Sequence, residues 1–233
     1  SNLYMGSDKK LNLFDMPLKE LREYKPDLTK ENDFESFWCQ TIVESNEQEL
    51  NPALTPVEYP IEAVKVFDLY FDGFKNSRIY ARYVIPEKAS KDNKVPAVVI
   101  YHGYNYNNIV TSNVLHYSMM GYAVLIVDVR GQNIKSPDHN NYENGGPSGW
   151  MTNGILNPQN YFYRFAYMDC VRAVDFLNSR EEIDCTRIAV EGGSQGGGLS
   201  LAVGAISGNI KVILADIPYL CHFRRSIELY DGS

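Results

Sequence analysis

Between the β-branched stretch Ile188-Ala189-Val190 and the small-residue stretch Gly198 to Ala205 lies Gly192-Gly193-Ser194-Gln195-Gly196. A serine on a sharp strand-to-helix turn presents Oγ clear of its sheet, where it can attack a carbonyl carbon. Such a turn needs backbone angles that L-residues resist. The flanking Gly192 and Gly196 remove the Cβ atoms that would strike the neighbouring strand and helix. The backbone N–H of Gln195 falls in the first turn of the new helix, where an orphan donor and the positive end of the helix dipole can stabilise an oxyanion. Gly-x-Ser-x-Gly also arises in ordinary Gly- and Ser-rich loops. Its setting decides here: Arg187 to Glu191 reads as a buried strand and Gly198 to Ala205 as a closely packing helix, so the motif is a nucleophile elbow.

A serine nucleophile needs a base and a carboxylate to orient that base. After Ser194 the chain offers Asp216, Glu228 and Asp231 as acids and His222 as its one histidine. These lie almost side by side in sequence, whereas base and acid must approach the serine from separate loops. His222 is therefore expected to be a surface or packed histidine, with the triad acid and base absent from these 233 residues.

The apolar run Val98-Val99-Ile100-Tyr101 ends in His102-Gly103-Tyr104, the place where such a sheet supplies a second oxyanion donor. The backbone N–H of Tyr104 is that candidate, and its ring could wall a small acyl and substrate pocket; the plainer reading is a packed aromatic. His102 is expected to brace the loop. Arg130, after the next strand, either binds a substrate carboxylate or fixes its loop through a buried ion pair, with Asp128 the nearest partner; the second reading is favoured. Gly145 to Met151 must cross above the same sheet edge and shape the pocket rim. The aromatics from Tyr161 to Tyr167 recur at helical spacing, which favours packing over sugar stacking.

The elements that must hold these residues can be read from periodicity. Leu11 to Tyr24 is expected to be an extended arm with a helical turn from Pro17 to Glu23, followed by a helix capped by Thr29 and running to about Glu49. Asn51 to Tyr59, rich in proline, reads as a connector. Strands at Val64 to Phe71 and Arg78 to Ile85 are joined by the hairpin loop Asp72 to Asn76. Strands Ala97 to Tyr101, Tyr122 to Val127 and Val212 to Asp216 then alternate with helices Ser112 to Met120 and Tyr161 to Ser179 around the elbow. The alternation predicts an α/β fold: a mainly parallel central sheet flanked by helices, with right-handed crossovers. One domain is expected, an arm and helix over 1–60 and a sheet core over 61–233.

At 44% hydrophobic content the chain can bury a substantial core, yet no apolar run approaches the ~20 residues of a membrane span. A formal charge of −7 with scattered Lys and Arg argues against nucleic acid. Residues Ser1 to Gly6 carry no secretory signal, and the four cysteines are too widely spaced for a disulfide framework or zinc site. Free thiols, a cytoplasmic location, no metal and no cofactor are the expectation.

Taken together, Phe14 to Leu18, Phe34 to Trp38, His102-Gly103-Tyr104, Arg130-Gly131-Gln132, Gly149-Trp150-Met151, Gly192 to Gly197 and Pro218-Tyr219-Leu220 resemble the acetyl xylan esterase and cephalosporin C deacetylase family of α/β-hydrolases, carbohydrate esterase family seven. The resemblance covers most of the chain. It implies a metal-independent serine esterase that removes acetyl groups from short xylo-oligosaccharides and from the antibiotic's side chain, as an intracellular homo-oligomer, a hexamer. Ser194 matches the family's nucleophile; Tyr104 and Gln195 match its oxyanion donors. The family's triad Asp and His lie further along than Ser233, so the chain looks like the amino-terminal two-thirds of such an enzyme, lacking its carboxyl-terminal strands, which a separate fragment could supply. Two rivals stand beside this: a peptidase-like serine hydrolase on the same sheet, and a noncatalytic binding or assembly module.

Overall fold

Runs of β-branched residues with both faces apolar build the centre of the molecule. In the computed structural model, which describes residues 15–106, 109–146 and 149–229, the contacts divide the chain into two units, Phe37–Cys221 and Ser1–Ser36 with His222–Ser233. The elements in chain order are α1 (Leu18–Glu23), α2 (Phe34–Asn46), β1 (Ala53–Val57), β2 (Val64–Asp72), β3 (Arg78–Pro86), β4 (Val95–Tyr101), α3 (Leu115–Met119), β5 (Ala123–Val127), α4 (Phe162–Asn178), β6 (Ile183–Gly193), α5 (Gln195–Ile206), β7 (Ile210–Asp216) and α6 (Phe223–Leu229).

In the larger unit the described strands form one seven-stranded sheet in the order β1-β2-β3-β5-β4-β6-β7. It is mixed. β5, β4, β6 and β7 run parallel, while β1, β2 and β3 extend the sheet by antiparallel pairing. β5 explains why central strands read as continuous apolar runs. Its Ala123, Leu125 and Val127 enter the main core with α4 and α5, while Val124 and Ile126 enter a smaller cluster with Val114 and Leu115 on the other face.

The elbow strand β6 starts at Ile183, four residues before the expected Arg187, and three other elements depart further from the sequence expectation. Asn51 to Tyr59 is not a mere connector: β1 pairs with β2 from Ala53↔Tyr70 to Val57↔Val66. Pro56 lacks an N–H, but an edge strand has one side with no ladder to serve, so the proline is tolerated there. The helix expected from Thr29 starts at Phe34 and ends at Asn46. Asn32 and Asp33 occupy a turn before it, as short polar side chains that compete for backbone hydrogen bonds tend to do. The helix expected over Ser112 to Met120 is a 3-10 turn, Thr111–Val114, followed by the short α3.

The smaller unit contains α1, which follows Pro17, and α6, which the sequence reading did not foresee. Neither helix has a buried residue. Arg225 pairs with Asp15 and lies over the Tyr24 ring, 4.8 Å from its centroid. Leu11 to Phe14, Pro147, Ser148 and Asp231 lie outside the described residues.

Candidate active site

Ser194 links β6 to α5 at φ 54°, ψ −117°, angles that cost an L-residue about 1–3 kcal/mol unless the surroundings impose them. The surroundings do so through backbone hydrogen bonds. Ser194 N–H donates to Asp216 O at 3.0 Å, and Ser194 O accepts from Tyr219 N–H at 2.8 Å and Gly198 N–H at 3.2 Å. The flanking glycines are needed for space. A Cβ on Gly192 would lie 2.4 Å from the Gly196 carbonyl carbon, and one on Gly196 would lie 2.0 Å from Tyr101 O at the end of β4. Gln195 is the first residue of α5, as expected.

The neighbouring β4 ends in a tight turn that carries Tyr104. Tyr106 N–H donates to Gly103 O at 3.2 Å, and Asn105 takes the positive φ of 54° within the turn, a conformation that asparagine tolerates better than most residues. The Tyr104 ring meets Trp150 edge-on with centroids 5.2 Å apart. Close to this pair, Tyr161 Oη donates to Met151 O at 3.0 Å and Tyr219 Oη lies 2.6 Å from Met151 Sδ. Burial pushes the Tyr161 phenol up to about 12, helped by Tyr219 and Tyr104, so these hydroxyls stay protonated donors at neutral pH. Beside Gly103 and Gly193 a cavity of about 280 Å³ opens, lined also by Ile100, Tyr106, Ile126 and Glu191.

His102 braces this loop. Its Nδ1 lies 2.7 Å from Gly103 O and its Nε2 accepts the Val129 N–H at 2.9 Å, so both ring nitrogens are engaged and the ring is the neutral Nδ1–H tautomer. Arg130 is fully buried and structural, but its partner is not Asp128. Its guanidinium grips Asp169 of α4 through two bonds, Nε–Oδ2 at 2.6 Å and Nη2–Oδ1 at 2.7 Å, and donates to Phe74 O at 2.7 Å. Burial works against the Arg130 charge, yet the Asp169 carboxylate outweighs it and holds the guanidinium above its ordinary value. The expectation failed because a sheet end is met by helices distant in sequence. Asp128 is buried, its carboxylate 3.7 Å from His102 Nε2 and without a hydrogen bond among the described residues.

Of the remaining candidates, Asp216 has its backbone carbonyl committed to Ser194 N–H and its side chain exposed. In the other unit, His222 Nε2 is 2.9 Å from Tyr24 Oη and its Nδ1 accepts from Arg225 N–H at 3.4 Å, while Glu228 pairs with Arg224. Among the described residues nothing hydrogen-bonds Ser194 Oγ. Nor is there, among them, a cluster of three metal-ligating side chains or a helix long and apolar enough to cross a membrane. The sequence reading missed the role of Gln132, which meets the buried Gln195 side chain, and the Asp169 partner of Arg130. For Gln132 a signal existed in Arg130-Gly131-Gln132 at a strand end; for Asp169, inside a helix, there was none.

The sequence also matches a known family: the one described as acetyl xylan esterase (AXE1) aligns with residues 11–233. The chain belongs to the acetyl xylan esterase family. Among curated proteins it is similar to acetyl esterase Axe7A of Xylanibacter ruminicola, 29% identical over an alignment of 239 positions that covers 93% of this chain and 53% of that protein. It thus spans about half the length of that relative. Among solved structures it is similar to the acetyl xylan esterase of Paenibacillus sp. R4, with 44% identity, a TM-score of 0.89, and coverage of 94% of this chain and 69% of the other. Acetyl xylan esterase 1 from Thermoanaerobacterium sp. JW/SL YS485 follows at 31% identity and a TM-score of 0.87, covering 93% of this chain and 68% of that one. The fold is accordingly that of the α/β-hydrolase esterases, and the family is one of hydrolases acting on acetyl esters.

Proposed function

We propose that this polypeptide is a serine esterase that removes acetyl groups from acetylated xylo-oligosaccharides and related small acetyl esters, the cephalosporin C side chain among them. The observation that carries the reading is the Ser194 turn, a non-glycine residue held at φ 54° by backbone bonds to Asp216 and Tyr219 and by glycines that admit no Cβ. Strain of this kind, overdetermined by its surroundings, is what a preorganised nucleophile requires.

In this reading Ser194 Oγ attacks the acetyl carbonyl, the bond from that carbon to the sugar oxygen breaks, and an acetyl-serine forms as the sugar leaves as an alcohol carrying the proton that Oγ gave up. The backbone N–H groups of Gln195 and Tyr104 face the developing oxyanion. Water then releases acetate. Neither His102 nor His222 is assigned the base, because in each the ring nitrogens already have partners. The Tyr104–Trp150 pair, a rigid aromatic wall on the turn after β4, supports a short acyl group.

The polypeptide as its gene encodes it, supplied with chromogenic esters of rising acyl length, should cleave acetyl faster than butyryl and butyryl faster than octanoyl. Ser194→Ala should remove all three rates. Octanoyl cleavage faster than acetyl would replace the acetyl assignment with a lipase-like one, and activity surviving in Ser194→Ala would remove the serine from the mechanism.

A further inference from the structure

Beneath the two proposed oxyanion donors lies a closed set of side-chain amides. Gln132 Nε2 donates to Gln195 Oε1 at 2.8 Å, and Gln195 Nε2 donates back to Gln132 Oε1 at 3.0 Å. The orientation of both amides is fixed from outside. Asn105 N–H, which can only donate, meets Gln132 Oε1 at 3.0 Å, so that atom is the acceptor; the reciprocal pair then sets Gln195. Tyr163 Oη adds a second donor to Gln195 Oε1 at 2.9 Å, and Gln195 Nε2 also approaches His102 O at 3.4 Å. Gln132, Gln195 and Tyr163 are all buried.

This set joins four segments: the elbow, the loop after β5, the turn after β4 and helix α4. Two of them carry the proposed donors, since Gln195 begins α5 and Asn105 directly follows Tyr104. Burying two neutral amides and a phenol costs desolvation that hydrogen bonding roughly offsets, so an apolar trio of the same volume would serve stability as well. What the amides add is direction. Gln132 holds the Tyr104–Asn105 peptide by its N–H while gripping the side chain of the residue whose N–H is the other donor.

We propose that Gln132 is a positioning residue for acetyl transfer: through the Gln195 amide and Asn105 N–H it fixes the spacing of the Tyr104 and Gln195 backbone donors, with Tyr163 locking the pair from α4. This rests on the serine-esterase reading above. The role belongs to the transition state, because the oxyanion forms only there, and a misplaced donor therefore lowers kcat far more than it raises KM.

The test compares Gln132→Leu with the unaltered polypeptide as its gene encodes it, using an acetyl ester and a methyl trifluoromethyl ketone whose hemiketal oxygen would occupy the same hole. The expected result is a fall in kcat of about tenfold to a hundredfold, KM changed less than about twofold, and ketone affinity weakened in proportion to kcat/KM. An unchanged kcat, or a loss confined to KM, overturns the proposal. Should Gln132→Leu fail to fold, Tyr163→Phe decides: it deletes one hydroxyl, and the account expects a kcat drop of roughly twofold to tenfold with KM and thermal midpoint unchanged. A kcat like the parent's in that variant overturns the proposal too. Ser194→Ala run alongside separates the two readings, since activity surviving there defeats the esterase assignment, whereas its loss beside a parent-like Gln132→Leu defeats only the positioning role.

Discussion

At the scale of single residues, the elbow is a problem of volume before it is one of chemistry. Gly196 sits where a methyl group would press on the last carbonyl of β4, at 2.0 Å, and that atom belongs to a central strand that cannot retreat. Gly196→Ala should therefore destabilise the fold by about 3 kcal/mol, the upper end of the range for an overpacked core site, read as a lowered urea midpoint at unchanged slope. A midpoint equal to the parent's would mean that the elbow is looser than described. The places of Ser194 on the strand-to-helix turn, Gln195 at the head of α5 and Tyr104 on the turn after β4 were legible because their motifs impose their own local geometry on the backbone. The ion pair of Arg130 was not legible, because Asp169 reaches it from the middle of a helix 39 positions away and nothing in local spacing announces that meeting.

At the scale of elements, the strands were read well wherever β-branched residues run without a break, and poorly where prolines masked β1. The start of α2 was misplaced because cap-forming residues crowd the segment from Thr29 to Asp33, while packing with α4 governs where the helix lies. That packing carries charge. Glu44 of α2 meets Arg164 of α4, Nη2–Oε2 at 2.6 Å, and also pairs with Lys75. Burial raises the Glu44 pKa, but the hydrogen bonds from Lys75 and Arg164 outweigh it, and the net direction is downward from 4.5. A carboxylate with a depressed folded value contributes stability above its unfolded value and loses it as the pH falls through the folded one. Glu44→Gln should thus cost roughly 0.5–1 kcal/mol at pH 7, as expected for a partly exposed pair. The difference from the parent should shrink as the pH drops below about 4.5, and denaturation curves at stepped pH values measure it. A penalty that holds constant into acid would assign the effect to packing rather than charge.

At the scale of the whole molecule, a mixed sheet carries two loops and one elbow to a common edge, where strand ends in a parallel sheet place their ligands. Composition made the class legible, since continuous apolar strands alternating with helices leave few other arrangements, and the motifs narrowed it to one family. The amide set under the elbow was not legible, because it depends on four segments converging in space. The central claim is that Ser194 takes up the acyl group. The polypeptide as its gene encodes it, mixed with an acetyl ester, quenched in acid during turnover and mapped by peptide mass spectrometry, tests this most directly. The account predicts one acetyl group on Ser194, absent in Ser194→Ala; an acetyl group on another residue, or steady turnover with no acetyl-serine trapped and full activity in the alanine variant, would contradict it.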